Sequence, residues 1–169
     1  MDKSPTKEEI KLIKEMSGPI GVIVLQWSFV DRNLDLIVKI IAEDHDTKNF
    51  ININTLSPFA GRKVKLMRKC FNQLPSLIVF KKNGLSLMKR TKSISKERNM
   101  LIHGTFAGLN SDGSINFQYL TRPKNELKYI IQNFTHTVPT LLDLEKRIRL
   151  LAEEMGLFGL SLRPSKNVP

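Results

Sequence analysis

Glu97-Arg98-Asn99-Met100-Leu101-Ile102-His103-Gly104 is the stretch that decides how this chain reads. Three polar side chains capable of chemistry sit here among Met, Leu and Ile. Asn99 and His103 lie four apart and share one face of a helix. Arg98 precedes His103 by five residues, about 140° around an ideal helix, so the two converge only where the helix ends near His103. Gly104 is the residue expected just past such an end. An imidazole at a helix C-terminus feels the negative end of the helix dipole, which favours its protonated form. An arginine, an amide and a titratable imidazole together suit the handling of a phosphate.

Working outward, Leu87, Thr91, Ile94, Arg98 and Leu101 step by four and three, placing Arg98 in line with core positions. Upstream, Ser57-Pro58 reads as a cap with proline in the first turn. A basic amphipathic helix follows, with Val64, Met67, Cys70 (or Phe71) and Leu74 inward; Pro75 and Asn83-Gly84 then punctuate the chain. Further back, Ile23, Trp27, Val30, Leu34, Ile37 and Ile41 form a long helical stripe, widened by Val22, Phe29, Leu36 and Ile40. Thr6-Lys7-Glu8-Glu9 is a capping box opening a short helix that should stop at Gly18-Pro19. Residues 50–56 alternate weakly. Downstream of Gly104 the period changes to two. Residues 105–109 and 114–120 flank Asn110-Ser111-Asp112-Gly113 as a hairpin, and Leu127, Tyr129 and Ile131 suit a third strand. A closing helix starts near Pro139-Thr140, turns Leu141, Leu144, Ile148, Leu151 and Met155 inward, and should end at Gly156. The expected fold is mainly α: one helical domain over residues 1–160, with an inserted hairpin or three short strands before the last helix, and a loose tail over 161–169.

The charge is localised. The chain carries a net +11, and residues 62–98 hold twelve basic side chains against Glu97 alone; elsewhere acids and bases balance. Arg62, Lys63, Lys65, Arg68, Lys69, Lys89, Arg90, Lys92 and Lys96 are the residues expected to meet a nucleic-acid backbone, because neutralising phosphates releases condensed counterions.

Arg-Asn-x-x-x-His at a helix end before glycine resembles the Rx4–6H motif of HEPN domains. These are small helical bundles, many of them metal-independent ribonucleases of toxin–antitoxin and abortive-infection systems. The order of a long helix, a basic helix, the motif helix, an inserted hairpin and a closing helix is also similar to that family, over roughly residues 20–155. The resemblance implies an active site at a homodimer interface. In it Arg98 would stabilise the phosphorane, His103 would move protons at the 2′-hydroxyl and the leaving oxygen, and Asn99 would orient the imidazole or the phosphate. The products would be a 2′,3′-cyclic phosphate and a 5′-hydroxyl. An antitoxin or nucleotidyltransferase partner is also implied. Thr105 stands where one subgroup carries a modifiable tyrosine, which argues against regulation of that kind.

Other chemistry is poorly represented. There is no Gly-rich phosphate loop, no GxSxG elbow and no paired CxxC. No cofactor and no metal are expected; Asp44-His45-Asp46 reads as a polar loop before it reads as a ligand set. Cys70, the single cysteine, suits a core position and excludes an internal disulfide. The polar N-terminus and the short apolar run at 20–30 point to a cytoplasmic protein without a membrane span. Two alternatives share much of this pattern: a non-catalytic HEPN-like module binding RNA, nucleotide or a partner protein, and a helical interaction protein with a basic face.

Overall fold

The computed structural model describes residues 6–44, 47, 51, 57–122 and 128–163. These form helices α1 (Lys7–Asp44), α2 (Ala60–Gln73), α3 (Lys81–His103) and α4 (Val138–Ser161), a 3-10 helix (Pro75–Phe80), and strands β1 (Thr105–Leu109), β2 (Ile115–Thr121) and β3 (Ile130–His136). The protein is mainly helical with a small antiparallel sheet before its last helix. The chain divides into two compact units. Met1–Leu25 and Lys96–Lys146 make the first, Gln26–Ser95 and Arg147–Pro169 the second, so α1, α3 and α4 each contribute to both.

The second unit is a helical bundle built on the α1 stripe. Trp27, Val30, Leu34, Ile37 and Ile41 are all buried, as their spacing requires, and Ile40 joins them; Phe29 stays 44% exposed and Leu36 half-buried. From α2, Val64, Met67, Cys70 and Phe71 turn inward, and Ile148, Leu151 and Met155 do so from α4. Arg90 forms a two-pronged salt bridge with Glu154, one prong at 3.1 Å. Hydrogen bonding to that carboxylate raises the Arg90 pKa and holds its charge firmly.

Several expected boundaries shift here, each for a packing reason. Asn83-Gly84 does not interrupt the chain but lies inside α3. A Cβ on Gly84 would stand 2.6 Å from the Phe71 ring, so the glycine admits an aromatic neighbour and breaks nothing. Gly156 does not end α4, which runs on to Ser161 because Phe158 still has partners: its ring packs edge-on against Phe71 and Phe80 at 5.8 and 6.3 Å. Ser57-Pro58 falls short of α2, which starts at Ala60 with Phe59 at its N-cap and no side-chain cap. Residues 164–169 of the expected tail, residues 50 and 52–56, and His45-Asp46 lie outside the described residues.

The first unit opens with the expected capping box. Thr6 N–H donates to Glu9 Oε2 at 2.7 Å and Glu9 N–H donates to Thr6 Oγ1 at 3.1 Å. The helix does not stop at Gly18-Pro19. Proline removes one donor and crowds the preceding turn, a cost of about 3 kcal/mol or more in a helix interior, yet α1 continues through it. Met16 and Ile23, one on each side, are both buried on the same stripe, and only a continuous helix keeps both inside. Beyond α3 the three strands pair in the order β1-β2-β3, with Leu109 opposite Ile115 and Phe117 opposite Phe134. The turn works as read. Gly113 takes φ +77°, Asn110 N–H donates to the Ser114 carbonyl at 2.8 Å, and Asp112 Oδ1 accepts from the Ser114 amide and hydroxyl. Those two bonds hold the Asp112 carboxyl below its ordinary pKa. The third strand starts at Ile130, and Leu127 of the expected strand lies outside the described residues. Thr137 then caps α4 by exchanging bonds with Thr140, a box the sequence reading passed over.

Candidate functional site

Arg98, Asn99 and His103 lie in the first unit, and every residue of the expected nucleic-acid face except Lys96 lies in the second. In the first unit, α3 ends at His103 as the motif requires. Arg98 is half-buried, its Nε is closed off from solvent, and Nη1 donates to Asn99 Oδ1 at 3.1 Å. The guanidinium is therefore held by the amide beside it. His103 is exposed on the last residue of the helix. Because α3 stays helical through His103, the phase of about 140° between Arg98 and His103 is kept. The structure thus joins Arg98 to Asn99 by a hydrogen bond, with His103 exposed one turn beyond Asn99. Gly104 ends the helix by a different device from the left-handed cap expected of it, since its φ is not positive. A Cβ there would lie 2.5 Å from the Met100 carbonyl oxygen and 2.8 Å from the Phe134 ring. Phe134 stacks on Phe117 at 5.4 Å, so the sheet closes against the residue next to His103.

In the second unit the basic residues divide by what surrounds them. Lys63 is buried, with 6% of its side chain exposed, and forms an ion pair with Asp35; Arg90 is engaged by Glu154. Both belonged to the expected nucleic-acid face. Their charges are instead taken up by carboxylates of α1 and α4, because a lysine that packs inward needs a counter-charge. Arg62 lies over the Phe59 ring at 5.7 Å. Lys65, Arg68, Lys69 and Lys92 line an open cleft of about 470 Å³ together with Gly61, Val64 and Asn72. A second cavity of about 670 Å³ is lined by Arg68, Asn72, Leu85, Ser86, Lys89 and Lys92. No carboxylate is among the described lining residues of either. Positions 61, 65, 68 and 72 of α2, and 85, 89 and 92 of α3, each follow the helical repeat, so each set forms one stripe. Lys96, on the same helix as the motif, is exposed in the first unit.

Sequence reasoning missed Asn72 and Gly61, although both lie on the Lys65 stripe at plus seven and minus four. Asn72 Nδ2 donates to the Arg68 carbonyl at 2.8 Å, which leaves its Oδ1 as an acceptor among the cations. Cys70 is fully buried and burial raises its thiol pKa, so it offers no nucleophile. Among the described residues no cluster of three His, Cys, Asp or Glu side chains could hold a metal ion, and no helix is long and apolar enough to cross a membrane. No protein-family model, curated protein or solved structure matches this chain.

Proposed function

We propose that the chain binds RNA through the basic cleft of its second unit and cleaves it, without a metal, at a HEPN-type site formed by Arg98, Asn99 and His103 of two copies. The observation that carries the RNA part is the cleft: four cations around about 470 Å³, with no described carboxylate among them, suit a polyphosphate backbone. The cleavage part rests on a guanidinium fixed against Asn99 and an imidazole open to solvent. Arg98 would offset charge on the phosphorane, and His103 would take the 2′-hydroxyl proton or give one to the 5′-oxygen. With the two residues on different sides of one helix, a second copy must supply the complementary member. Phe29, 44% exposed on α1 in the second unit, offers apolar surface for such pairing.

The test is cleavage of a mixed RNA pool in the presence of chelator, yielding 2′,3′-cyclic phosphate ends. His103→Ala and Arg98→Ala should each lower the rate by about a hundredfold or more without lowering Tm much, and mixing the two variants should restore part of it. Cleavage that vanishes with EDTA and returns with magnesium sinks the mechanism. One observation favours a second reading, a non-catalytic RNA-binding module: within one chain the motif does not bring Arg98 and His103 to the same side of α3. RNA that is bound but never cut would decide for it.

A further inference from the structure

The two cavities of the second unit are not independent. They share Arg68, Asn72 and Lys92, while Lys65 and Lys69 line only the smaller and Lys89 only the larger. Each therefore has its own lysine or lysines, with an arginine, a lysine and an amide common to both. We propose that this pair of cavities is a two-lobed site for two consecutive phosphates of a single RNA strand, with Arg68 and Lys92 shared between them. The proposal rests on the RNA-binding reading and says what that binding recognises.

The charge arrangement suits it. A lone phosphate placed against Arg68 and Lys92 makes no use of Lys65 in the smaller lobe or of Lys89 in the larger. A second phosphate one nucleotide along the strand uses them, and it gains Coulomb attraction without a second loss of translational freedom. The lobes are concave and measure hundreds of cubic ångströms. That scale accepts a nucleotide unit, whereas a duplex offers its phosphates on a broad convex surface. Asn72 Oδ1 supplies the shared wall with an acceptor, suited to a sugar hydroxyl or a base N–H and of no use to a bare anion.

Two positions allow each lobe to be spoiled alone. Gly61 lines only the smaller lobe, lies in the first turn of α2, and has open space where a Cβ would stand. Gly61→Glu therefore sets a carboxylate at that lobe while favouring the helix. Ser86 lines only the larger lobe, and Ser86→Glu does the same there. The probes are a nucleoside monophosphate and a 5′-phosphorylated dinucleotide, both 2′-O-methylated against cleavage, with a single-stranded 20-mer as control. The dinucleotide should bind the wild-type chain at least tenfold more tightly than the monophosphate. Each glutamate variant, folded by circular dichroism, should reduce that ratio to near one. A ratio near one in the wild-type chain, or one untouched by both variants, overturns the two-lobe site while 20-mer binding upholds the RNA reading. Failure to bind the 20-mer as well brings down both.

Discussion

Gly18-Pro19 and His103-Gly104 are two places where sequence signals the end of a helix, and they behave oppositely. The stronger signal, glycine plus proline, fails to stop α1; the single glycine at 104 coincides with the end of α3. What differs is the apolar pattern on the far side. Past Pro19 the stripe continues through Ile23 in the same helical phase, whereas past Gly104 the period changes to two and the chain enters β1. Burial outweighs a local breaker when the stripe is unbroken.

Three substitutions would break or sharpen that contrast. Ile23→Ala removes the first fully buried stripe residue beyond the proline. It should destabilise the protein by about 2–5 kcal/mol in urea titration, with hydrogen exchange quickening around residues 16–23. A loss below about 1 kcal/mol would mean that the stripe does not carry the helix across Pro19. Gly104→Ala should cost about 1–3 kcal/mol, since the added methyl meets the Met100 carbonyl and the Phe134 ring. Pairing it with Phe134→Leu should recover part of the loss; a neutral Gly104→Ala would return the glycine to a conformational role. Gly18→Ala is the smallest change. Apart from its chain neighbours and the helix's own backbone, no atom lies within 4 Å of its would-be Cβ; with the Pro19 ring crowding the new methyl, the gain should stay below about 1 kcal/mol, raising Tm slightly. A fall in Tm would show that the turn before Pro19 needs glycine.

Much of the helical framework was legible because 3.6-residue spacing maps directly onto burial, as Val30, Leu34 and Ile37 illustrate. The hairpin was legible from Asp112-Gly113. What stayed hidden depends on neighbours remote in sequence. Lys63 and Lys65 look alike in the string, yet one is buried and pairs with the exposed Asp35 while the other lines the cleft. Gly84 and Gly104 look like punctuation until the rings of Phe71 and Phe134 are placed beside them. For the candidate site, the string supplied Arg98, Asn99 and His103 and most of the cleft lysines. It held no signal that Arg90 is spoken for by Glu154, since that partner lies 64 residues away on α4.

The buried Cys70 turns the second unit into its own timepiece. Its thiol lies on the helix that carries the cleft, yet it is fully shielded and held protonated by its surroundings. A thiol reagent can reach it only when α2 lifts away, and the chain has no other cysteine to confuse the count. The pace of labelling thus measures how often the bundle opens. A ligand settling between α2 and α3 would slow that clock without touching the sulfur.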